Sequence, residues 1–96
     1  MDSIMQTKKE CFICANKKLK NLRNLEEHHI FGGTANRKKS EKHGLKVWLC
    51  YEDHRGNGGV HFNRAVDLAL KAAGQMKFEE THTREEFRAE FGKSWL

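Results

Sequence analysis

Cysteine placement is the tightest constraint on what this chain can become. Cys11 and Cys14 form a Cys-x2-Cys pair, Cys50 stands alone downstream, and six histidines accompany them in 96 residues. An odd number of cysteines cannot all close disulfides, and no secretory h-region precedes them. Metal ligation in a reducing compartment is therefore the better reading. Two thiolates at that spacing grip one zinc from a single turn, at a Zn–S distance of about 2.3 Å. Cys50 is a natural third ligand. The fourth position stays open between Asp53, which would complete the clamp, and His54, the better zinc ligand by type. A metal staple also suits the size, since a chain this short buries too little apolar surface for a secure core.

Around this framework the chain divides into short elements of a single domain spanning residues 1–96. Residues 1–10 are polar and expected to fray. Leu25 to Phe31 reads as a strand entering the pair His28-His29, and Leu45 to Leu49 as a second strand. Gly32-Gly33 opens an expected basic loop, Thr34 to His43. A helical turn after Cys50 holds Asp53 and His54, and Arg55-Gly56-Asn57-Gly58-Gly59 must be a loop. Beyond it Phe62, Val66, Ala69, Leu70 and Ala73 recur at helical spacing, with Gly74 ending that helix or kinking it before Phe78. Thr83-Arg84-Glu85-Glu86 is a capping box, Phe87 and Phe91 form an i, i+4 apolar pair, and Gly92 stands at C′.

Charge is uneven along the chain. Residues 1–50 hold 11 Lys/Arg against 5 Asp/Glu, a balance of +6, whereas residues 51–96 hold 7 against 8, a balance of −1. A basic half joined to a near-neutral half suggests one face that meets a polyanion such as nucleic acid. No apolar run is long enough to cross a bilayer. The expected compartment is the cytoplasm, with no membrane partner.

Phosphodiester hydrolysis needs an activated water, an electrostatic partner for developing charge, and relief for the leaving oxygen. Adjacent histidines on a regular strand point to opposite sides. At a strand end or bulge, one can turn to a metal while its neighbour reaches the attacking water, a role that suits imidazole because it titrates near neutrality. His54 on the helical turn and His61 past the glycine loop could approach the same ion.

These residues together resemble a known family. Glu27-His28-His29-Ile30-Phe31-Gly32-Gly33 and Val47-Trp48-Leu49-Cys50-Tyr51-Glu52-Asp53-His54 are similar to HNH (His-Me finger) endonucleases with a zinc-stabilised core. With Cys11-x2-Cys14 and Gly59-Val60-His61-Phe62-Asn63 added, the run is most like small HNH-type proteins of bacteriophages and prophages. The resemblance covers about residues 11–64 and implies an α+β fold, a ββα-metal core with additional C-terminal helices over about 62–92.

By matching positions, the resemblance makes His29 the general base and His28 and His54 ligands of a catalytic divalent ion (Mg2+, Mn2+, Ni2+ or Zn2+), with His61 a possible third. It leaves Asp53 beside Cys11, Cys14 and Cys50 on a structural zinc, in a place where the family usually has Cys or His. Arg37, Lys38 and Lys39 would contact phosphates of nucleic acid, double-stranded DNA foremost, in a bacterial host cell. The family's middle Asn is replaced by Leu45, with Asn36, His43 and Asn63 as candidate substitutes. The implied activity is endonuclease. The alternatives are a non-catalytic zinc-stabilised DNA-binding module and a phage adaptor that uses its C-terminal helices.

Overall fold

The computed structural model describes residues 1–96. Its elements run α1 (Phe12–Asn16), β1 (Leu25–His29), α2 (Thr34–His43), β2 (Lys46–Cys50), α3 (Tyr51–Arg55), α4 (Arg64–Phe78) and α5 (Arg84–Phe91). The fold is a small α+β arrangement of one two-stranded antiparallel sheet and five helices. No helix is long and apolar enough to cross a membrane.

β1 and β2 pair in the register Leu25↔Cys50, Glu26↔Leu49, Glu27↔Trp48, His28↔Val47 and His29↔Lys46. Side chains alternate between the two faces of a strand. Glu26 and His28 thus share a face with Val47 and Leu49, both buried, while Glu27 and His29 lie opposite with Lys46 and Trp48. This alternation decides which histidine goes where.

The connection between the strands is not the expected loop. Thr34–His43 is a helix, closed by Gly44 in the left-handed region (φ 69°). Its ten residues include Ala35, Arg37, Lys38, Lys39, Glu41 and Lys42, good helix formers without an internal Gly or Pro, and propensity outweighs the missing apolar stripe. Buried Ser40 ties the helix to the sheet end. Its hydroxyl accepts from Phe31 N and donates to Phe31 O, both at 3.0 Å, while Leu45 N donates to Ser40 O at 2.8 Å.

Two further expectations change. Residues 1–10 are held along β2: Ile4 N donates to Gly44 O at 2.9 Å, Trp48 N donates to Gln6 Oε1 at 2.6 Å, and the Ser3 hydroxyl donates to Lys46 O. β2 would otherwise present an open edge, and this segment covers it. Phe62 does not belong to the fourth helix and is 70% exposed, because Asn63 caps that helix by accepting from Val66 N at 3.3 Å. Ala69 is also exposed, and the buried stripe runs instead through Leu70, Gly74, Gln75 and Phe78, with Gly74 inside a continuous helix.

The C-terminal helices close the core over the sheet end. Phe31 meets Phe91 at 4.7 Å and Phe87 at 5.3 Å between ring centroids, and Phe78 meets Phe87 at 5.3 Å. The predicted capping box of α5 is present in full, with Thr83 and Glu86 bonding each other's backbone N–H. Phe87 and Phe91 are buried, which leaves that apolar pair inside the domain.

Candidate metal centres

Two clusters of metal-ligating side chains meet at α3. In the first, Asp53 Oδ2 lies 3.1 Å from Cys11 Sγ, 3.2 Å from Cys14 Sγ and 3.4 Å from Cys50 Sγ, and the Cys14 and Cys50 sulfurs are 4.0 Å apart. Ligands on one tetrahedral ion with metal–sulfur bonds of about 2.3 Å would stand about 3.8 Å apart for two sulfurs and about 3.5 Å for sulfur and oxygen. The four residues therefore lie close enough to hold one metal ion. Of the two candidates for the fourth position, Asp53 lies in this cluster and His54 turns to the other.

The backbone explains how the four converge. Cys11 is the N-cap of α1, which brings Cys14 back over it, and Cys50 ends β2 directly before the turn that holds Asp53. Burial pushes the Cys14 thiol up to about 11 and the Cys50 thiol up to about 12. Burial also works to raise the Asp53 carboxyl, but hydrogen bonds from the three thiols hold it below its ordinary value. Buried thiols around an ionised carboxylate suit a cation that would take the place of their hydrogens.

The second cluster is His28, His54 and His61. Glu26 Oε1 is 2.8 Å from His54 Nδ1, and a carboxylate only accepts, so Nδ1 carries the hydrogen and Nε2 the free lone pair. That Nε2 stands 3.0 Å from His61 Nε2. Two imidazole nitrogens on one ion, bonded at about 2.0–2.1 Å, would be about 2.9–3.4 Å apart. His28 Nε2 is buried without a hydrogen-bond partner, and its ring centroid is 5.1 Å from that of His54 and 5.2 Å from that of His61. An orphaned buried nitrogen is costly unless something binds it. The donor set thus fits a divalent ion, with Glu26 as the carboxylate behind a ligating histidine. Burial, then the nearness of the His54 and His61 imidazoles, pushes the His28 imidazole down to about 3, and burial also lowers His61. Both are thereby kept in the neutral form that a metal needs.

The glycine loop brings His61 back to His54. Val60 N donates to Asp53 O at 2.7 Å and His61 N to His54 O at 3.3 Å. The return is so close to α3 that a Cβ on Gly59 would lie 2.6 Å from Glu52 O, which only glycine avoids.

His29 stands on the other face, at the end of β1. Its Nε2 is 2.9 Å from Glu41 Oε1, so by the same reasoning Nε2 holds the hydrogen and Nδ1 the lone pair. Hydrogen bonds from Lys46, His29 and the N-terminal ammonium lower Glu41 to about 2. His29 nevertheless lines the same cleft of about 520 Å³ as His28, His54 and His61, together with Gly32, Gly33 and Arg37.

The three expected phosphate contacts part company. Arg37 lines this cleft, and Lys38 a neighbouring hollow beside His29. Lys39 instead donates to Glu90 O at 2.7 Å and fastens α2 to α5, because a helix turns successive side chains about 100° apart. The polar residues expected to brace the connection between the strands lie elsewhere: Asn36 reaches Phe91 O, His43 pairs with Glu90, and Asn63 caps α4. The side chain that bonds this turn is Ser40, to Phe31 N and O.

Glu26, Glu41 and Ser40 were not anticipated from the chain. Glu26 was accessible through strand alternation with His28, whereas Glu41 and Ser40 require α2 to be seen as a helix. No protein family, curated protein or solved structure matches the chain.

Proposed function

We propose that the chain is a metal-dependent endonuclease of the HNH type, acting on nucleic acid and on double-stranded DNA foremost. Zinc would occupy the cysteine cluster, and Mg2+, Mn2+, Ni2+ or Zn2+ the histidine cluster. The observation that carries this reading is the convergence of His28, His54 and His61 beside His29 in one cleft, with the orphaned His28 Nε2 among them. The succession β1, β2, α3, with cysteine ligands flanking it, is also what a zinc-stabilised ββα-metal core requires.

His28, His54 and His61 would hold the divalent ion, which would supply Lewis acidity for phosphoryl transfer. His29 Nδ1 takes the proton of the attacking water, and Glu41 holds the ring and stabilises the imidazolium that forms. Water oxygen bonds to phosphorus, the P–O3′ bond breaks, and the ends are a 5′ phosphate and a 3′ hydroxyl that takes its proton from solvent. Glu26 fixes the His54 ring. Arg37 and Lys38 would position neighbouring phosphates without reading sequence, so binding should weaken steeply with salt.

Nicking of supercoiled plasmid with each of the four ions tests the reading. Wild-type protein should nick, and His29→Ala should not, with unchanged metal content and melting curve. Nicking by verified His29→Ala protein at the wild-type rate would remove this mechanism. A non-catalytic DNA-binding module is the second reading, favoured by buried Leu45 at the family's Asn position. It predicts salt-sensitive DNA binding without nicking under any ion.

A further inference from the structure

The cleft beside the histidine cluster has a second wall, from which the hydrolytic roles take only the Arg37 side chain. α2 begins at Gly33, which offers no side chain as a cap, and its first turn has no acidic residue. Its first internal hydrogen bond is Arg37 N to Gly33 O at 2.9 Å, so the N–H groups of Thr34, Ala35 and Asn36 precede the ladder. Such a terminus bears the positive end of the helix dipole and unsatisfied donors, the combination that binds phosphate. Gly33 has φ 88°, which favours glycine, and a Cβ on Gly32 or Gly33 would meet open space, so a ligand's backbone can approach closely.

Other observations in the same cleft point to a bound group. Arg37, one turn into the helix, is exposed and lines the cleft, while Lys42 and Lys46 nearby are engaged by Glu90 and Glu41. His28, only 7% exposed, lines the cleft with its Nε2 unpartnered. The neighbouring hollow shares Glu27, His29 and Arg37 with the cleft and adds Thr34 and Lys38, so the two are continuous past His29. Asp67 also faces the cleft, but Lys71 Nζ holds it at 2.9 Å.

We propose that the first turn of α2, with Arg37, is a seat for a phosphate of a polynucleotide strand next to the imidazole cluster. The polynucleotide rests on the hydrolase reading, whereas the phosphoryl oxyanion rests on the seat itself. The N–H groups of Thr34 to Asn36 donate to its oxygens and Arg37 adds a charged fork. A strand held there runs from the histidines past His29 toward Lys38.

The test follows backbone amide shifts of zinc-loaded protein titrated with inorganic phosphate and, separately, with a short DNA duplex. Wild-type amides of Thr34, Ala35 and Asn36 should shift saturably with both probes. Ala35→Asp places a carboxylate at an exposed first-turn position, which favours the helix while competing with phosphate, so binding should weaken about ten-fold or more with no loss of melting temperature. Arg37→Ala should weaken binding in the same direction. Unmoved amides in the wild type, or wild-type affinity in both variants, would overturn the seat. Shifts with phosphate but none with duplex would overturn its assignment to a polynucleotide. Seating of both probes by a protein that nicks nothing would uphold the seat and end the nuclease reading. Nicking by both variants at wild-type KM would end the seat alone.

Discussion

Replacing Ser40 by Ala measures how firmly the turn between the strands is held. The hydroxyl is fully buried and makes two bonds to the backbone of Phe31, itself 1% exposed. Alanine removes both, and water has little access to replace them. A net hydrogen bond is worth about 1 kcal/mol, but a buried group left without a partner costs about 1–3 kcal/mol. Two stranded backbone groups, one N–H and one C=O, give a loss of about 2–6 kcal/mol. A domain of this size shifts by about 4–8 °C per kcal/mol, so Tm should fall by about 8 °C at the least and by about 48 °C at the most. The assay is urea and thermal unfolding at fixed excess zinc, since ligand concentration itself moves apparent stability. Ser3→Ala is the control: its hydroxyl also bonds backbone, to Lys46 O and from Met5 N, but in a part-exposed segment where water can substitute. It should cost under about 1 kcal/mol. If Ser40→Ala loses no more than Ser3→Ala, Ser40 does not brace this turn.

Chelation of the metal, or Cys11→Ser, should unfold the domain, because ligation and folding are coupled; a chelated sample with the original melting profile would refute this. Glu26→Gln should weaken metal binding at the histidine cluster about 10–100-fold by calorimetry, the usual effect of losing the carboxylate behind a ligating His. Arg55→Ala, which breaks the ion pair to Glu26 but leaves the Glu26–His54 bond, should stay near wild type. Equal losses in the two variants would show that the ion pair, not the orientation of His54, matters. Asp53→Ala should lower metal affinity at the histidines by about ten-fold or more although Asp53 touches none of them, since the adjacent residue is His54 and coupling between sites is typically 5–150-fold. An unchanged histidine-site affinity would separate the two centres.

Much of the architecture was legible where local rules speak plainly. β2 shifts by one residue from its expected span, β1 stops two short, and α5 matches its capping box because that motif names its own boundary. The cysteine grouping was legible too, since Cys11 and Cys14 share a Cys-x2-Cys turn and Cys50 is the one other thiol in the chain. α2 was not, because hydrophobic periodicity is the main cue for a helix and this one has no apolar stripe. Only Ser40 of its ten residues is buried, and that side chain is polar. Read as a loop, residues 34–43 group Lys39 with Arg37 and Lys38 and give Glu41 no part, whereas the helix separates Lys39 and brings Glu41 to His29. Choosing between Asp53 and His54 was beyond chain reading for another reason. Adjacent helical residues diverge by about 100°, and only the positions of Cys11 and Glu26, distant in sequence, settle which one faces which cluster.

Splitting of the pair His28-His29 is where sheet physics and chemistry meet. A ligand must offer a lone pair to a metal, whereas a base must keep one for a proton, and a single ion beside both rings would tend to claim both. The period of two in β1 separates them, placing His28 with Glu26 and His29 with Glu27. Each face then brings its own carboxylate: Glu26 reaches His54 on the ligand side, and Glu41 reaches His29 on the other. Because His29 is the last residue of β1 and Gly32-Gly33 follow soon after, the cleft can wrap the strand end and present both rings to one bound group. A strand longer by two residues would keep the separation but close that route. On the proposed reading the division of labour depends on where β1 stops, and Ser40, which holds Phe31 at that stop, bears on the site without touching it.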